Sequence, residues 1–309
     1  MNTGLARRPR YAPYRFGSKD FALGLKPMRA HEWILLDDEH ATVMRQKRAH
    51  LAQHREHLFR ALPESLTAQR ELVARVERHL LADHAASFSK EGDALVSRSD
   101  ATRVVLEGHP EPLWQLSQLI AEDFMLLQIV GGALVITAAS NAYSSSGRLV
   151  SSVGRGMPWA HQGVPTLTER LGPRIDRVLS GVHEATPCER FNWLVTPLAT
   201  LFFPHESTHA ANAEAARAAA DVLAREPQKV AELLHIRVER QTLSRLPDSQ
   251  AVAFSLHTFS EPLSTLAGDP SGARAMLELL RAYPDERWHY TEMHLLRTPL
   301  LRYLESIAV

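Results

Sequence analysis

Residues 235–247, HIRVERQTLSRLP, set Arg237, Glu239, Arg240 and Arg245 on a stretch whose Ile236, Val238, Thr242 and Leu243 favour an extended backbone. Ionised side chains are costly to bury without partners. Side chains of a strand alternate, so Arg237, Glu239 and Gln241 share one face while Val238, Arg240 and Thr242 share the other. Polar demand therefore falls on both faces. Two arrangements meet it. One is an edge strand whose arginines pair with Glu239 and neighbouring carboxylates. The other is the wall of a pocket, where planar guanidinium groups bind an anionic or oxygen-rich ligand.

Cys188 is the single cysteine. It excludes an internal disulfide, a cysteine-ligated iron–sulfur cluster and a cysteine-built zinc site made from this chain alone. A lone thiolate ligand, a nucleophile and inert packing beside Pro187 all stay open for it. The 16 histidines sit mostly among charged residues on helical stretches, as His40, His50, His54, His57 and His79 do. His50 and His54 have the i,i+4 spacing of a zinc grip, but no third ligand stands nearby, and solvated surface histidines explain them as well.

Among 309 residues, 45% are hydrophobic and 23% charged, enough for a sizeable core in one large domain or two small ones. Lys plus Arg and Asp plus Glu are both 35, so no net field attracts nucleic acid or an anionic membrane. The basic stretch ARRPRYAPYR lacks an apolar h-region and reads as a tail rather than a targeting signal. The longest apolar run, LLQIVGGALVITAA, falls short of the roughly 20 residues of a spanning helix and is broken by Gly131-Gly132. A cytoplasmic protein is expected.

The elements that must position these residues follow from periodicity. Helices are expected over 39–62 and 67–83, separated by Pro63 and folded as an N-terminal α-hairpin, with a third over 111–123 after the polar stretch SKEGDALVSRSD. FMLLQIV and ALVITAAS, joined by Gly131-Gly132, form a strand hairpin. SSSGRLVSSVGRGMP is glycine-rich but has no Gly-Lys-Ser ending, so it is not read as a phosphate loop. A helix is expected over 166–181, opened by Pro165. FNWLVTPLATLFF, LHIRVERQTLSRL and AVAFSLHTF supply three more strands, an alanine-rich helix precedes the second of these, and helices close the chain. The pattern predicts an α+β fold with a mostly antiparallel, five-stranded sheet and flanking helices. No G-x-G-x-x-G follows a strand, which argues against a doubly wound dinucleotide fold.

Several blocks occur in a specific order: GLKP at 24–27, W-x-x-x-D from Trp33 to Asp37, E-D-x-x-L-L from Glu122, WAHQGVP with His161 and Pro165, R-x-N-W from Arg190 to Trp193, and ERQTLSRLP before AVAFSLHTF. Together they resemble the haem-bearing α subunit of the haem-dependent oxidative N-demethylase family, over about residues 14–304. The resemblance implies a PAS-like fold, with residues 1–110 as an extended segment and helical hairpin packed on a core formed by 111–309. It implies haem b held by His161, with His183 as runner-up ligand, and Trp159, Val164, Trp193 and Gln241 around the cofactor. Arg237 or Arg240 would face iron-bound dioxygen or a propionate. Both could point inward only if the strand were bulged. Glu239 would offset a guanidinium or hold a cationic amine.

This sequence departs from the family pattern in two places. His257 stands where the family usually has arginine, and the segment around Tyr143 lacks the Pro-Ser-x-Trp pattern. Both put the charge of the pocket, and so the substrate, in question. The activity implied is oxidative N-demethylation of a small secondary amine with dioxygen, releasing formaldehyde. Electrons would come from a separate flavin and iron–sulfur reductase subunit. A haem-based sensor without turnover and a non-haem interaction protein with a structural ERQTL cluster are the competing readings.

Overall fold

The apolar runs beside Gly131-Gly132 do pair as a hairpin, and both glycines take the positive φ (60° and 83°) that a two-residue primed turn needs. The computed structural model describes residues 9–16, 24–143, 149–156, 159, 177–179, 181–184, 186–202 and 208–309. In chain order the strands among them are β1 (Lys26–Pro27), β2 (Phe59–Ala61), β3 (Phe88–Glu91), β4 (Ala94–Ser97) and β5 (Arg103–Val105). They continue as β6 (Asp123–Val130), β7 (Ala133–Ser140), β8 (Cys188–Thr196), β9 (His235–Arg245) and β10 (Val252–Pro262). A seven-stranded sheet runs β1-β8-β9-β10-β6-β7-β2, and β3-β4-β5 form a small second sheet. All neighbouring strands are antiparallel, so the class is α+β.

The main sheet has seven strands where five were expected. The two additions are edge strands of two and three residues, too short to show a period of two. Phe59–Ala61 was expected to be helical; the helix instead stops at Gln53, where His54 leaves the helical region, and β2 pairs with β7. The two N-terminal helices, His40–Gln53 and Leu66–Asp83, are therefore separated by a strand of the sheet rather than joined as a simple hairpin. The third expected helix shrinks to Pro112–Leu116, because Asp123 already belongs to β6. The polar stretch after residue 88 is the small sheet, turned by Gly92 at φ 63°. Of the helix expected over 166–181, only Arg177, Val178, Leu179 and Gly181 lie within the described residues, the first three of them helical.

β9 lies inside the sheet, between β8 and β10, and not at an edge. Its two faces meet different cores. Ile236 and Val238 pack with Leu263, Met276, Leu280, Leu300 and Leu304, against the helices Pro270–Arg281 and Arg297–Ile307. The same side of the sheet carries Phe124, Leu126, Ala138 and Ala253 against Leu72, Val76 and Leu80 of Leu66–Asp83. On the opposite side Met125, Leu127, Leu243 and Val252 pack with Val150, Val153, Leu179 and Val182.

An ion pair hidden from solvent ties the helix His40–Gln53 to the start of β6. Lys47 Nζ lies 2.9 Å from Asp123 Oδ1 and donates to the carbonyls of Ile120, Ala121 and Glu122 at 2.8–3.1 Å. Asp123 Oδ2 accepts from the Tyr143 N–H at 2.7 Å. The carbonyls around Lys47 and the N–H on Asp123 Oδ2 are what make such a burial tolerable. Replacing Lys47 by Met strands the carboxylate, and we expect a loss of about 3–5 kcal/mol in urea unfolding. The Lys47→Met/Asp123→Asn pair should lose less than the two single changes summed. Additive losses, or a single-variant loss under about 1 kcal/mol, would contradict this account.

Candidate functional site

Continuous pairing of β9 with both neighbours, without a register shift, decides which ionisable groups meet. Arg237, Glu239 and Gln241 lie on one face, in rows with Leu194, Asn192 and Arg190 of β8 and with Ser260, Thr258 and Leu256 of β10. Arg240 lies on the other face with Glu189, Trp193 and His257. The sheet thus separates Arg240, His257 and Trp193 from Arg237, Glu239 and Gln241, which the sequence reading had grouped around one ligand.

On the Arg240 face the charges are used internally. Arg240 Nε donates to Glu189 Oε2 at 2.6 Å, and its Nη1 donates to the Trp33 carbonyl at 3.1 Å. His257 Nδ1 lies 2.9 Å from Glu122 Oε1, which also accepts the Leu35 N–H at 2.8 Å. The His257 ring stacks on Phe259 at 4.4 Å. Trp193 meets the Tyr14 ring edge-on at 5.5 Å within the core of the C-terminal helices. These contacts fasten the W-x-x-x-D segment and the N-terminal stretch to the back of the sheet.

On the opposite face Arg237 is 1% exposed and donates to three main-chain carbonyls, those of Tyr143, Thr200 (3.1 Å) and Leu201 (3.1 Å). Burial lowers its pKa to about 10, opposed by the charges of Glu239 and Asp123. Thr258 Oγ1 donates to the same Tyr143 carbonyl at 2.9 Å. Arg237 therefore holds together the chain at Tyr143 and the chain at 200–201.

Beside it, Glu239 Oε2 accepts from Gln241 Nε2 at 3.2 Å and from Asn192 Nδ2 at 3.5 Å. Arg190 stands across from Gln241. Its Nε is enclosed and lacks a hydrogen-bond partner, and burial depresses its pKa against the pull of Glu239. Farther along this face Met125, Leu243 and Val252 are covered by Val150, Val153, Leu179 and Val182, with half-buried Cys188 and Phe254 packed against them. Burial pushes the Cys188 thiol up, which suits packing better than a thiolate ligand. A cation without an anion suits a carboxylate brought by a ligand, whether a porphyrin's or a substrate's.

His161 and Val164 lie outside the described residues. Trp159 is half-buried, with the Arg155 guanidinium 4.2 Å over its ring. His183 is exposed, on a segment whose Leu179 and Val182 carbonyls accept from Arg245 at 3.2 and 2.7 Å. Among the described residues no group of three or more His, Cys, Asp or Glu is arranged to hold a metal ion. Reading the sequence by strand alternation missed Arg190 and Asn192 as site residues. Their two-residue spacing in R-x-N-W was the available signal, since it puts both on one face.

Glu122 sets a pH dependence on the back of the sheet. Burial pushes its carboxyl up, but the His257 ring and hydrogen bonds outweigh this, and the pKa settles below the ordinary Glu range. A lowered folded-state pKa stabilises above the unfolded value of about 4.3, and that stability is lost as pH falls through the folded one. Urea unfolding at stepped pH should therefore show a steeper acid decline in the native chain than in Glu122→Gln. Parallel declines would count against the ion pair.

No helix among the described residues is long and apolar enough to cross a membrane. A family model described as haem-dependent oxidative N-demethylase, alpha subunit-like, matches residues 24–301. That span holds all ten strands and both faces of β9. The chain belongs to the haem-dependent oxidative N-demethylase, alpha subunit-like family.

Proposed function

We propose that the protein binds haem b over the Arg237 face of the sheet and removes a methyl group oxidatively from a small secondary amine. The observation that carries this reading is, in a chain of this family, one sheet face on which the Glu239 carboxylate stands a row away from Arg190, whose guanidinium bonds to no described residue. The five inner strands, numbered in chain order from β6, lie 2-1-5-4-3, which supports a PAS-like core. One cysteine is too few for the paired thioether links of a c-type haem, which favours non-covalent haem b.

Haem supplies the iron at which dioxygen is reduced and the methyl C–H bond is oxidised. Secondary amine, dioxygen, two electrons and two protons give the N-hydroxymethyl amine and water. That carbinolamine breaks its C–N bond to release formaldehyde and the primary amine. The electrons need a donor outside this chain, which has neither a nicotinamide fingerprint nor cysteines for a cluster; a flavin and iron–sulfur reductase subunit fills that place.

Glu239, oriented by Gln241 and Asn192, is the group that would hold the substrate ammonium. Arg237 is committed to carbonyls and acts as a positioning residue that keeps the two loop ends beside the site. Arg240 and His257 support the face from behind. His161 is the residue that would hold the haem iron, with His183 second.

Purified protein given haem should show a Soret band at one haem per chain, and His161→Ala should lose it. With dimethylamine, oxygen and an artificial reductant, the loaded protein should release formaldehyde. A protein that stays colourless after haem addition removes the haem reading; a coloured one that yields no formaldehyde points to a sensor.

A further inference from the structure

The arginines of β8 and β9 differ in one respect. Arg237 meets three carbonyls, Arg240 meets Glu189 and a carbonyl, and Arg245 meets the carbonyls of Val182, Gln250 and Leu179. Arg190 has no hydrogen bond or ion pair through its guanidinium to any described residue, and its Nε is shut off from solvent. An enclosed N–H that finds no acceptor is unfavourable, because its Nε can be neither hydrated nor bonded within the fold. A site that tolerates it is shaped for an anion that arrives from outside.

Glu239 is the nearest charge acting on Arg190, one row along the same face, yet the two do not close into an ion pair. Rows on one face lie about 7 Å apart along a strand. The face therefore offers a fixed carboxylate, oriented by two amides, and a free guanidinium within the span of one small molecule. A simple alkylammonium engages Glu239 and leaves the Arg190 fork unused. A molecule carrying both an ammonium and a carboxylate engages both.

We propose that Arg190 receives a carboxylate of the substrate, so that the amine handled here is an N-methylated amino acid or similar zwitterion rather than a simple alkylamine. This rests on the demethylase reading of the site. A planar guanidinium grips a carboxylate through two parallel hydrogen bonds, which gives orientation as well as affinity. With the carboxylate fixed at Arg190 and the ammonium at Glu239, the N-methyl group is the part left to face the cofactor. A haem propionate presents the same carboxylate chemistry, and the test separates the two sources.

Haem-loaded protein is titrated with N-methylglycine and with dimethylamine, following the Soret shift. We expect N-methylglycine to half-saturate at about tenfold lower concentration or less, a difference of about 1.4 kcal/mol. Arg190→Gln should bring the two amines within about twofold of each other. Arg190→Lys, which keeps the charge but loses the planar fork, should fall between. Cooperative urea unfolding checks that each variant is folded. Equal half-saturation in the native protein overturns the proposal. So does an Arg190→Gln variant that releases haem faster to an apoglobin acceptor while keeping the native preference, since the carboxylate is then a propionate. If the protein takes up no haem, the demethylase reading fails separately. Calorimetry of N-methylglycine on the haem-free chain then decides: binding lost in Arg190→Gln supports the carboxylate site, and no binding overturns it.

Discussion

A guanidinium placed inside a sheet has to be met on the side to which it points, because pleating fixes its direction and the flanking strands block any other route. β9 carries Arg237 and Arg240 three residues apart with unbroken pairing on both sides, so they enter opposite halves of the molecule. Everything packed on the sheet answers this division. The back receives Glu189, the Trp33 carbonyl and the Glu122–His257 pair. The front receives the carbonyls of Tyr143, Thr200 and Leu201.

The front arrangement reaches further than one side chain. Lys47 meets Asp123, Asp123 takes the Tyr143 N–H, and the Tyr143 carbonyl takes Arg237 and Thr258. A helix, the first central strand, the end of the hairpin and the chain at 200–201 are thus joined through the main-chain N–H and C=O of one residue, Tyr143. Buried polar networks of this sort are stabilising only when complete, since each member left alone keeps its desolvation penalty. Three carbonyls accepting from its terminal nitrogens are what allow Arg237 to be a structural group on the face where chemistry is proposed.

Strand hairpins with their own turn signal were readable from the sequence, and Gly131-Gly132 is the plainest case, because the turn requires positive φ and glycine supplies it. The short edge strands were not, since two or three residues hold no period and their pairing partners lie far along the chain. The same limit applies to the charges. Alternation foretold that Arg237 and Arg240 diverge, yet nothing local says that Arg237 will find carbonyls 94 and 36 residues away, or that His257 will find Glu122. Arg190 was quoted as part of a motif but not weighed as a site residue. Its significance comes from a partner it lacks, and that is visible only once the surroundings are known.

Seen across the sheet, compensation is the rule and Arg190 departs from it. Lys47, Arg237, Arg240 and Arg245 are each answered within the fold, at angles and distances the backbone dictates. Had Arg190 served the same purpose, Glu239 was at hand one row away; instead that carboxylate is drawn to Gln241 and Asn192. Local rules of stability are relaxed where function demands it. A guanidinium that bonds to no described residue, on the face away from the helical core, is therefore best understood as half of an interaction whose other half is a bound molecule.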